Sequence, residues 1–133
     1  GAGMAKGATN MALHYAMDRK TFGKAIAEHQ AIQLKLAEMS TRAAAAELLV
    51  HQAADKFDRL ERCDLEAGQA KFFASEAAVQ NSLDAMRVFG GYSYSPEYEI
   101  ERFYRDAPLL CIGEGTNEIQ RMIIAKQMVA RAS

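Results

Sequence analysis

Cysteine is scarce in this chain, neither sign of charge dominates, and no long apolar run occurs. Cys63 and Cys111 lie far apart and form no C-x-x-C pair, which fits reduced thiols in a cytosolic or matrix compartment. Lysine and arginine number 16 against 17 acidic residues, and the signs are interspersed. That balance supports neither a nucleic-acid-binding face nor a polybasic membrane anchor. No apolar stretch approaches the roughly 20 residues of a membrane span. A charged start, apolar middle and small-residue cleavage site, the marks of a signal peptide, are missing too. No G-x-S-x-G or Walker-type loop is present. His14, His29 and His51 have no carboxylates at the Glu-x-x-His spacing of a di-iron bundle, although Glu47 and His51 stand four apart, so no metal site is expected.

What remains is a helix-forming chain. Its 133 residues are enough for one domain with a real core. Half are apolar, aromatics are few and alanine is abundant, so helices are expected to pack closely. The chain opens Gly1-Ala2-Gly3 without an initiator methionine and reads at once as helix, as a piece of something longer would.

Periodicity places four long helices. The first runs from about Gly3 to Asp18 on Met4, Ala8, Met11 and Tyr15, and Gly23 marks the break after it. The second, from about Glu28 to Phe57, carries Ile32, Leu36, Met39, Ala43, Ala46, Val50, Ala53 and Phe57 in alternating steps of four and three. Such a seam is what a bundle helix presents to its neighbours. Arg59 to Arg62 is long enough only for an antiparallel return. The third helix, from about Asp64 to Val88, has a stripe of Phe72, Val79, Leu83 and Met86, with Ala70, Ala74 and Ala77 admitting a close neighbour. It stops at Gly90-Gly91, where a helix end commonly needs a positive φ. A loop carrying Tyr92 and Tyr94 follows, then a short amphipathic turn from about Tyr98 to Arg105 with Glu101–Arg105 as an i,i+4 pair. The last helix, from about Thr116 to Ala130, has Ile119, Met122, Ile123 and Val129. No strand of convincing length appears. The expected fold is all-α, an up-down-up-down four-helix bundle with a short extra helix.

Three stretches carry chemistry. In Ile112-Gly113-Glu114-Gly115-Thr116-Asn117-Glu118-Ile119-Gln120, a lone carboxylate stands between two glycines, which lack the Cβ atoms that would hold a ligand off the backbone. Thr116 can cap the helix behind it, and Glu118 suits the positive end of the helix dipole. The local pattern fits both a surface glutamate at a helix start and a general base at a pocket mouth. In Arg19-Lys20-Thr21-Phe22-Gly23-Lys24 a guanidinium, a hydroxyl and an ammonium meet at an interhelix corner, with His29 and Gln30 just beyond at a helix amino end that favours an anion. A solvated basic turn explains the same residues. Gly90-Gly91 can admit a flat or charged ligand against the main chain, or can simply end a helix.

Taken together, these stretches resemble one family. Arg19-x-x-Phe22-Gly23-Lys24-x-Ile26 and His29-Gln30-Ala31-Ile32-Gln33-x-x-Leu36-Ala37-x-Met39 are similar to the C-terminal helical domain of acyl-CoA dehydrogenases. Arg87-Val88-Phe89-Gly90-Gly91-Tyr92-x-Tyr94, Tyr104-Arg105-Asp106-Ala107 and Ile112-x-Glu114-Gly115-Thr116-Asn117-Glu118-Ile119-Gln120-Arg121 continue the resemblance in order over essentially the whole chain.

The resemblance implies an FAD-dependent α,β-dehydrogenation of an acyl-CoA thioester, with Glu114 taking the α proton. Desolvation beside flavin and acyl chain would strengthen that base. The Glu114 backbone N–H would bind the thioester oxygen. Gly113 and Gly115 would line the substrate. Arg19, Thr21, Phe22 and Gln30 would touch the adenine-dinucleotide portion of a neighbouring subunit's FAD, Arg19 at the pyrophosphate. Arg87, Val88, Phe89, Gly90 and Gly91 would lie along the same dinucleotide, and Thr116, Asn117 and Glu118 on the flavin side. The resemblance further implies an electron-transfer flavoprotein as acceptor, a homo-oligomer (tetramer or dimer) of the longer chain, and a cytoplasmic or mitochondrial-matrix setting.

Three departures from the family pattern stand out. Arg87 replaces a common glutamine, and Gly113 replaces a tyrosine of several members, which should widen the pocket for a broader or branched acyl group. The family's N-terminal helical and middle β domains are not in this sequence, so the chain alone should be inactive. Two rival readings are a helical oligomerisation module without catalysis and a dehydratase- or oxygenase-type relative on the same scaffold.

Overall fold

A computed structural model describes residues 1–132. Four long helices dominate it: α1 (Ala2–Asp18), α2 (Gln30–Asp58), α3 (Asp64–Phe89) and α6 (Asn117–Ala132). Two short ones, α4 (Ile100–Asp106) and α5 (Leu109–Ile112), fill the passage between α3 and α6. The fold is all-α, as expected, and Glu101 and Arg105 on α4 do pair, at 3.5 Å.

Side-chain pairings give the directions. Lys6 on α1 meets Glu47 on α2 at 3.1 Å, Arg42 on α2 meets Asp84 on α3 at 2.6 Å, and Arg131 on α6 meets Glu66 on α3 at 2.7 Å. Each long helix therefore runs back along the one before it, the up-down-up-down order. Yet α1 and α3, which run parallel, also touch closely, with Tyr15 stacked on Phe89 at a centroid distance of 4.1 Å. α3 is the hub, packed against α1, α2 and α6 alike.

Alanine makes that arrangement possible. Ala5, Ala8, Ala12 and Ala16 on α1 are fully buried, facing Ala74, Ala77, Ala78 and Ala85 along α3. Small side chains let the helix axes approach, so the large residues flank the contact. Here the structure corrects two of the expected stripes. Met4, Met11 and Tyr15 on α1, and Phe72, Val79, Leu83 and Met86 on α3, are only half-buried. The seam of α2 closes at Met39, Ala43 and Ala46, while Val50 and Phe57 stay exposed towards its far end. On α6, Ile119, Met122 and Val129 are exposed and the buried positions are Asn117 and Gln127. α6 sits against the α3 hub instead of in the middle of the bundle, and Gly68 lets Ile124 close in, since a Cβ there would lie 3.1 Å from Ile124 Cγ1.

One polar residue ties the three core helices. Asn81 Nδ2 donates to the Ala5 carbonyl (3.2 Å), Thr9 Oγ1 (3.0 Å) and the Met39 carbonyl (2.9 Å). Buried hydrogen bonds of this kind fix register as well as adding stability.

The corner after α1 holds an unexpected element, a two-residue hairpin. β1 (Lys20–Thr21) pairs antiparallel with β2 (Lys24–Ala25). Phe22 and Gly23 form the tip with φ of 52° and 81°. Positive φ at both central residues is the I′ geometry that matches strand twist. The expected loop at Gly91 begins instead as a 3-10 turn, Gly90–Tyr94, before chain direction changes at Ser95.

Candidate functional site

Two grooves flank the bundle, and the three chemistry-bearing stretches distribute between them. The first, of about 650 Å³, lies between the hairpin corner and the end of α3. Arg19, Thr21, Val88, Phe89, Gly90 and Gly91 from the sequence-derived set come together on its wall, joined by Tyr15, His29 and Tyr92. Arg19 lies over the Tyr92 ring, 5.5 Å from its centroid, and makes no ion pair among the described residues. Thr21 Oγ1 and His29 Nε2 are 3.0 Å apart. That contact takes the His29 side chain away from the amino end of α2, which no side chain caps. Its first N–H groups stay open to an anion. Burial holds the Tyr15 phenol above its ordinary pKa, so it faces the groove uncharged.

The two glycines at the end of α3 differ in kind. Gly90 has φ 64° and ψ −139°, a conformation essentially reserved for glycine. Gly91 needs no positive φ, and a Cβ built on it would meet nothing within 4 Å. Nothing within the chain requires glycine there, which leaves room for something outside it to approach the main chain.

Three members of the set stand apart from this groove. Phe22 is 97% exposed at the hairpin tip, with its ring edge-on to His29 at 6.1 Å. Gln30 is exposed at the first residue of α2. Arg87 donates to Asp84 at 3.0 Å. Burial alone would push the Asp84 carboxyl up, but hydrogen bonds from Arg42, Gln80 and Arg87 outweigh it and hold the carboxyl below its ordinary range.

The second groove, of about 820 Å³, runs along the far half of α2 and the start of α3 to the segment before α6. Val50, Ala53 and Phe57 on one side and Ala67, Ala70 and Ala74 on the other make its apolar walls. Leu109, Leu110, Gly113 and Glu114 close one end, and Lys71 and Ser75 add the polar points. The seam residues that the bundle leaves uncovered therefore line a groove.

Glu114 sits here on a strained turn. Its φ is 55°, a left-handed value uncommon outside glycine, and Gly115 follows at 84°. Gly115 is not on the groove wall, so the backbone conformation explains this glycine. The Glu114 carboxylate has no hydrogen-bond or ion-pair partner among the described residues, and its backbone N–H is likewise unpaired. Gly113 has an ordinary φ of −72°, and a Cβ there would lie 3.3 Å from the Leu109 carbonyl oxygen.

Behind the turn, Thr116 Oγ1 accepts from the Ile119 N–H at 3.4 Å, as a cap should. The Glu118 backbone N–H and the Thr116 hydroxyl together hold the Glu118 carboxyl below its ordinary pKa. Asn117, only 2% exposed, is turned into the protein. Its Oδ1 accepts from Lys71 Nζ (2.8 Å) and Ser75 Oγ (3.0 Å), and its Nδ2 donates to Glu76 (2.8 Å). Sequence reasoning named His29 only as part of the anion-favouring start of α2 and Tyr92 only as a loop residue of the family motif, and it gave Lys71 no role. Tyr92 directly follows the glycine pair and Lys71 falls among alanines, so only the first carried a local signal.

No group of three metal-ligating side chains occurs among the described residues, and no helix there is long and apolar enough to cross a membrane. The chain is a helical domain in which one groove offers an unpaired guanidinium beside open N–H groups and the other presents a free carboxylate against apolar walls. The comparisons narrow that description. The family described as "Acyl-CoA dehydrogenase, C-terminal domain" matches residues 1–129, and the chain belongs to that family.

The chain is 49% identical over 127 residues to 3-(aryl)acrylate reductase of Clostridium sporogenes, covering 96% of this chain and 34% of that protein. It is 50% identical over 127 residues to an acyl-CoA dehydrogenase of Bacillus subtilis, with the same coverages. Among solved structures, butyryl-CoA dehydrogenase from Megasphaera elsdenii superposes with a TM-score of 0.94 at 38% identity, over 96% of this chain and 33% of that one. The chain thus spans about a third of the length of the curated relatives it matches. Another solved structure that the chain resembles is an FAD complex of PigA, with a TM-score of 0.93 at 32% identity over 98% of this chain and 34% of that one.

Proposed function

We propose that this chain is the C-terminal helical domain of a longer FAD-dependent acyl-CoA dehydrogenase in which Glu114 is the α-proton base. One observation carries the reading: an unpartnered carboxylate, held at φ 55° next to a glycine, on the wall of an apolar groove of about 820 Å³. Strained backbone clusters at functional turns. A surface glutamate at a helix start gains nothing from it.

The residues at the first groove fit an adenine dinucleotide. Arg19 offers a guanidinium without a carboxylate partner, the amino end of α2 offers open N–H groups, and Gly91 leaves its main chain uncovered. Arg19 would hold the pyrophosphate, Thr21 and His29 would present hydroxyl and imidazole, and Val88 to Gly91 would lie along the dinucleotide. Phe22 and Gln30, exposed beside that corner, would reach the same FAD in a homo-oligomer of the full-length chain. Thr116, Glu118 and the start of α6 would sit on the flavin side, with Asn117 anchoring them.

When bound, FAD supplies the acceptor for the hydrogen and electron pair that leave the β carbon. Glu114 breaks the α C–H bond by taking the proton onto its carboxylate. Its unpaired N–H would stabilise the charge developing on the thioester oxygen, and apolar walls closed over by the bound substrate would strengthen that hydrogen bond by excluding water. An electron-transfer flavoprotein as the onward acceptor and a cytoplasmic or matrix setting belong to the same proposal.

The relative named as a 3-(aryl)acrylate reductase favours a second direction for the same groups, with Glu114 giving a proton to the α carbon of an enoyl substrate. Both directions need the carboxylate. Full-length Glu114→Gln protein, mixed with acyl-CoA in D2O, should lose α-hydrogen exchange while still binding the ligand. Exchange at the wild-type rate would remove the base assignment in either direction.

A further inference from the structure

The turn that carries Glu114 is strained and short, so something must hold it. Within α3, Lys71 reaches both of its flanks. Its Nζ donates to the Asn117 Oδ1 at 2.8 Å and lies 3.4 Å from the Cys111 carbonyl oxygen. Cys111 stands three residues before Glu114 and Asn117 three residues after it. A single ammonium therefore clamps the end of α5 and the start of α6 across the turn between them. Lys71 makes no ion pair among the described residues, both of its hydrogen-bond acceptors are neutral, and it lines the same groove as Glu114.

We propose that Lys71 is a positioning residue, whose ammonium, bonded to Asn117 and reaching the Cys111 carbonyl, fixes the turn that presents Glu114 to the groove. The proposal rests on the reading of Glu114 as base. Asn117 completes the clamp. Its Nδ2 is held by Glu76 at 2.8 Å, and Ser75 Oγ donates to the same Oδ1 that Lys71 uses. Losing Lys71 removes the side-chain tie to the Cys111 carbonyl. The turn is then held only by the Gly113 N–H to Leu109 carbonyl bond (2.8 Å) and the long Gln120 Nε2 contact to the Glu114 carbonyl (3.5 Å), so it can relax away from its left-handed conformation. Small displacements of a reacting group are costly, and an error of about 1 Å can cost on the order of 100-fold in rate.

The test uses the full-length flavoprotein with Lys71→Met, Lys71→Arg, Lys6→Met and Glu114→Gln. Lys71→Met should retain FAD, because the dinucleotide contacts of the first groove are untouched and Asn117 keeps its Ser75 and Glu76 hydrogen bonds, and should keep KM for acyl-CoA within about threefold. Its rate constant for flavin reduction by acyl-CoA should fall about 10- to 100-fold. Lys71→Arg, which keeps the donors, should recover to within about fivefold, and Lys6→Met, which removes an exposed lysine outside both grooves, should stay within about threefold of wild type. A wild-type reduction rate in Lys71→Met would overturn the proposal, even with a lowered melting temperature, because that is the signature of a purely structural lysine. So would an Arg variant as slow as the Met variant. If Lys71→Met does not fold with FAD, Lys71→Gln replaces it under the same criteria. Glu114→Gln separates the two readings. If it still reduces flavin, the base assignment fails and takes this proposal with it; if it is dead while Lys71→Met is normal, only the clamp fails.

Discussion

Glu66→Gln should destabilise this domain more than any other single carboxylate-to-amide change on its surface or in its core. Glu66 is 5% exposed at the start of α3 and accepts from Lys56 Nζ at 2.7 Å and from both Arg131 nitrogens at 2.7 and 2.9 Å. One carboxylate thereby joins the end of α2, the start of α3 and the end of α6. Hydrogen bonds to charged groups contribute about 1.5–3 kcal/mol each when buried. The Lys56 side chain is 25% exposed and that of Arg131 40%, so solvent screening cuts both contributions by about half. The loss from Glu66→Gln is therefore about 3 kcal/mol, which in a domain of this size lowers the melting temperature by about 10 °C. Glu47→Gln, which breaks the exposed pair with Lys6, should cost less than about 0.5 kcal/mol.

The same group gives a pH signature. The Arg131 and Lys56 hydrogen bonds hold the folded-state Glu66 carboxyl far below its ordinary 4.5. A depressed carboxyl pKa contributes stability above the unfolded value and loses it as pH falls through and below that value. The difference between wild type and Glu66→Gln should be constant above about pH 6 and shrink steadily from about pH 5 downward. Thermal or urea unfolding followed by circular dichroism measures it. A Glu66→Gln penalty no larger than that of Glu47→Gln, or one independent of pH between 6 and 3, would refute the clamp.

Three further outcomes follow from the site. Gly90→Ala should cost about 1–3 kcal/mol because of its backbone conformation. Gly91→Ala should leave stability within about 0.5 kcal/mol of wild type yet lower FAD retention in the full-length protein, as measured by flavin absorbance after gel filtration. Arg19→Ala should likewise weaken FAD retention, and unchanged retention would remove the pyrophosphate contact. The Cβ that Gly113→Tyr adds would lie 3.3 Å from the Leu109 carbonyl oxygen, and the ring beyond it would enter the groove that Gly113 lines. The substitution should narrow the groove and shift preference from branched towards straight acyl-CoAs. A panel showing the same preference before and after the change would sink the pocket argument.

How legible all this was depended on the element. The steps of four and three along α2 placed it within two residues of Gln30–Asp58, and Gly90 marked the end of α3 because its conformation excludes other residues. Periodicity could not say which face of an alanine-rich helix is buried. It favours the larger side chains, whereas close-packed helices bury Ala5, Ala8 and Ala12 and push Met4 and Met11 to the margin. The hairpin at Lys20–Ala25 escaped because strands of two residues carry no period. At the site, the glycines around Glu114 were visible, but their reasons differ. Gly115 serves a positive φ, and Gly113 serves space. Asn117 looks like any polar residue in a first helical turn until its three side-chain partners are seen, and Lys71 has no local pattern because its acceptors lie 40 and 46 residues away.

The most direct test of the account is anaerobic mixing of full-length Glu114→Gln protein with acyl-CoA, following the flavin absorbance. The account predicts a yellow protein that binds the ligand and whose flavin band stays unbleached, with the reduction rate lowered by at least about 100-fold. Bleaching at the wild-type rate would contradict it.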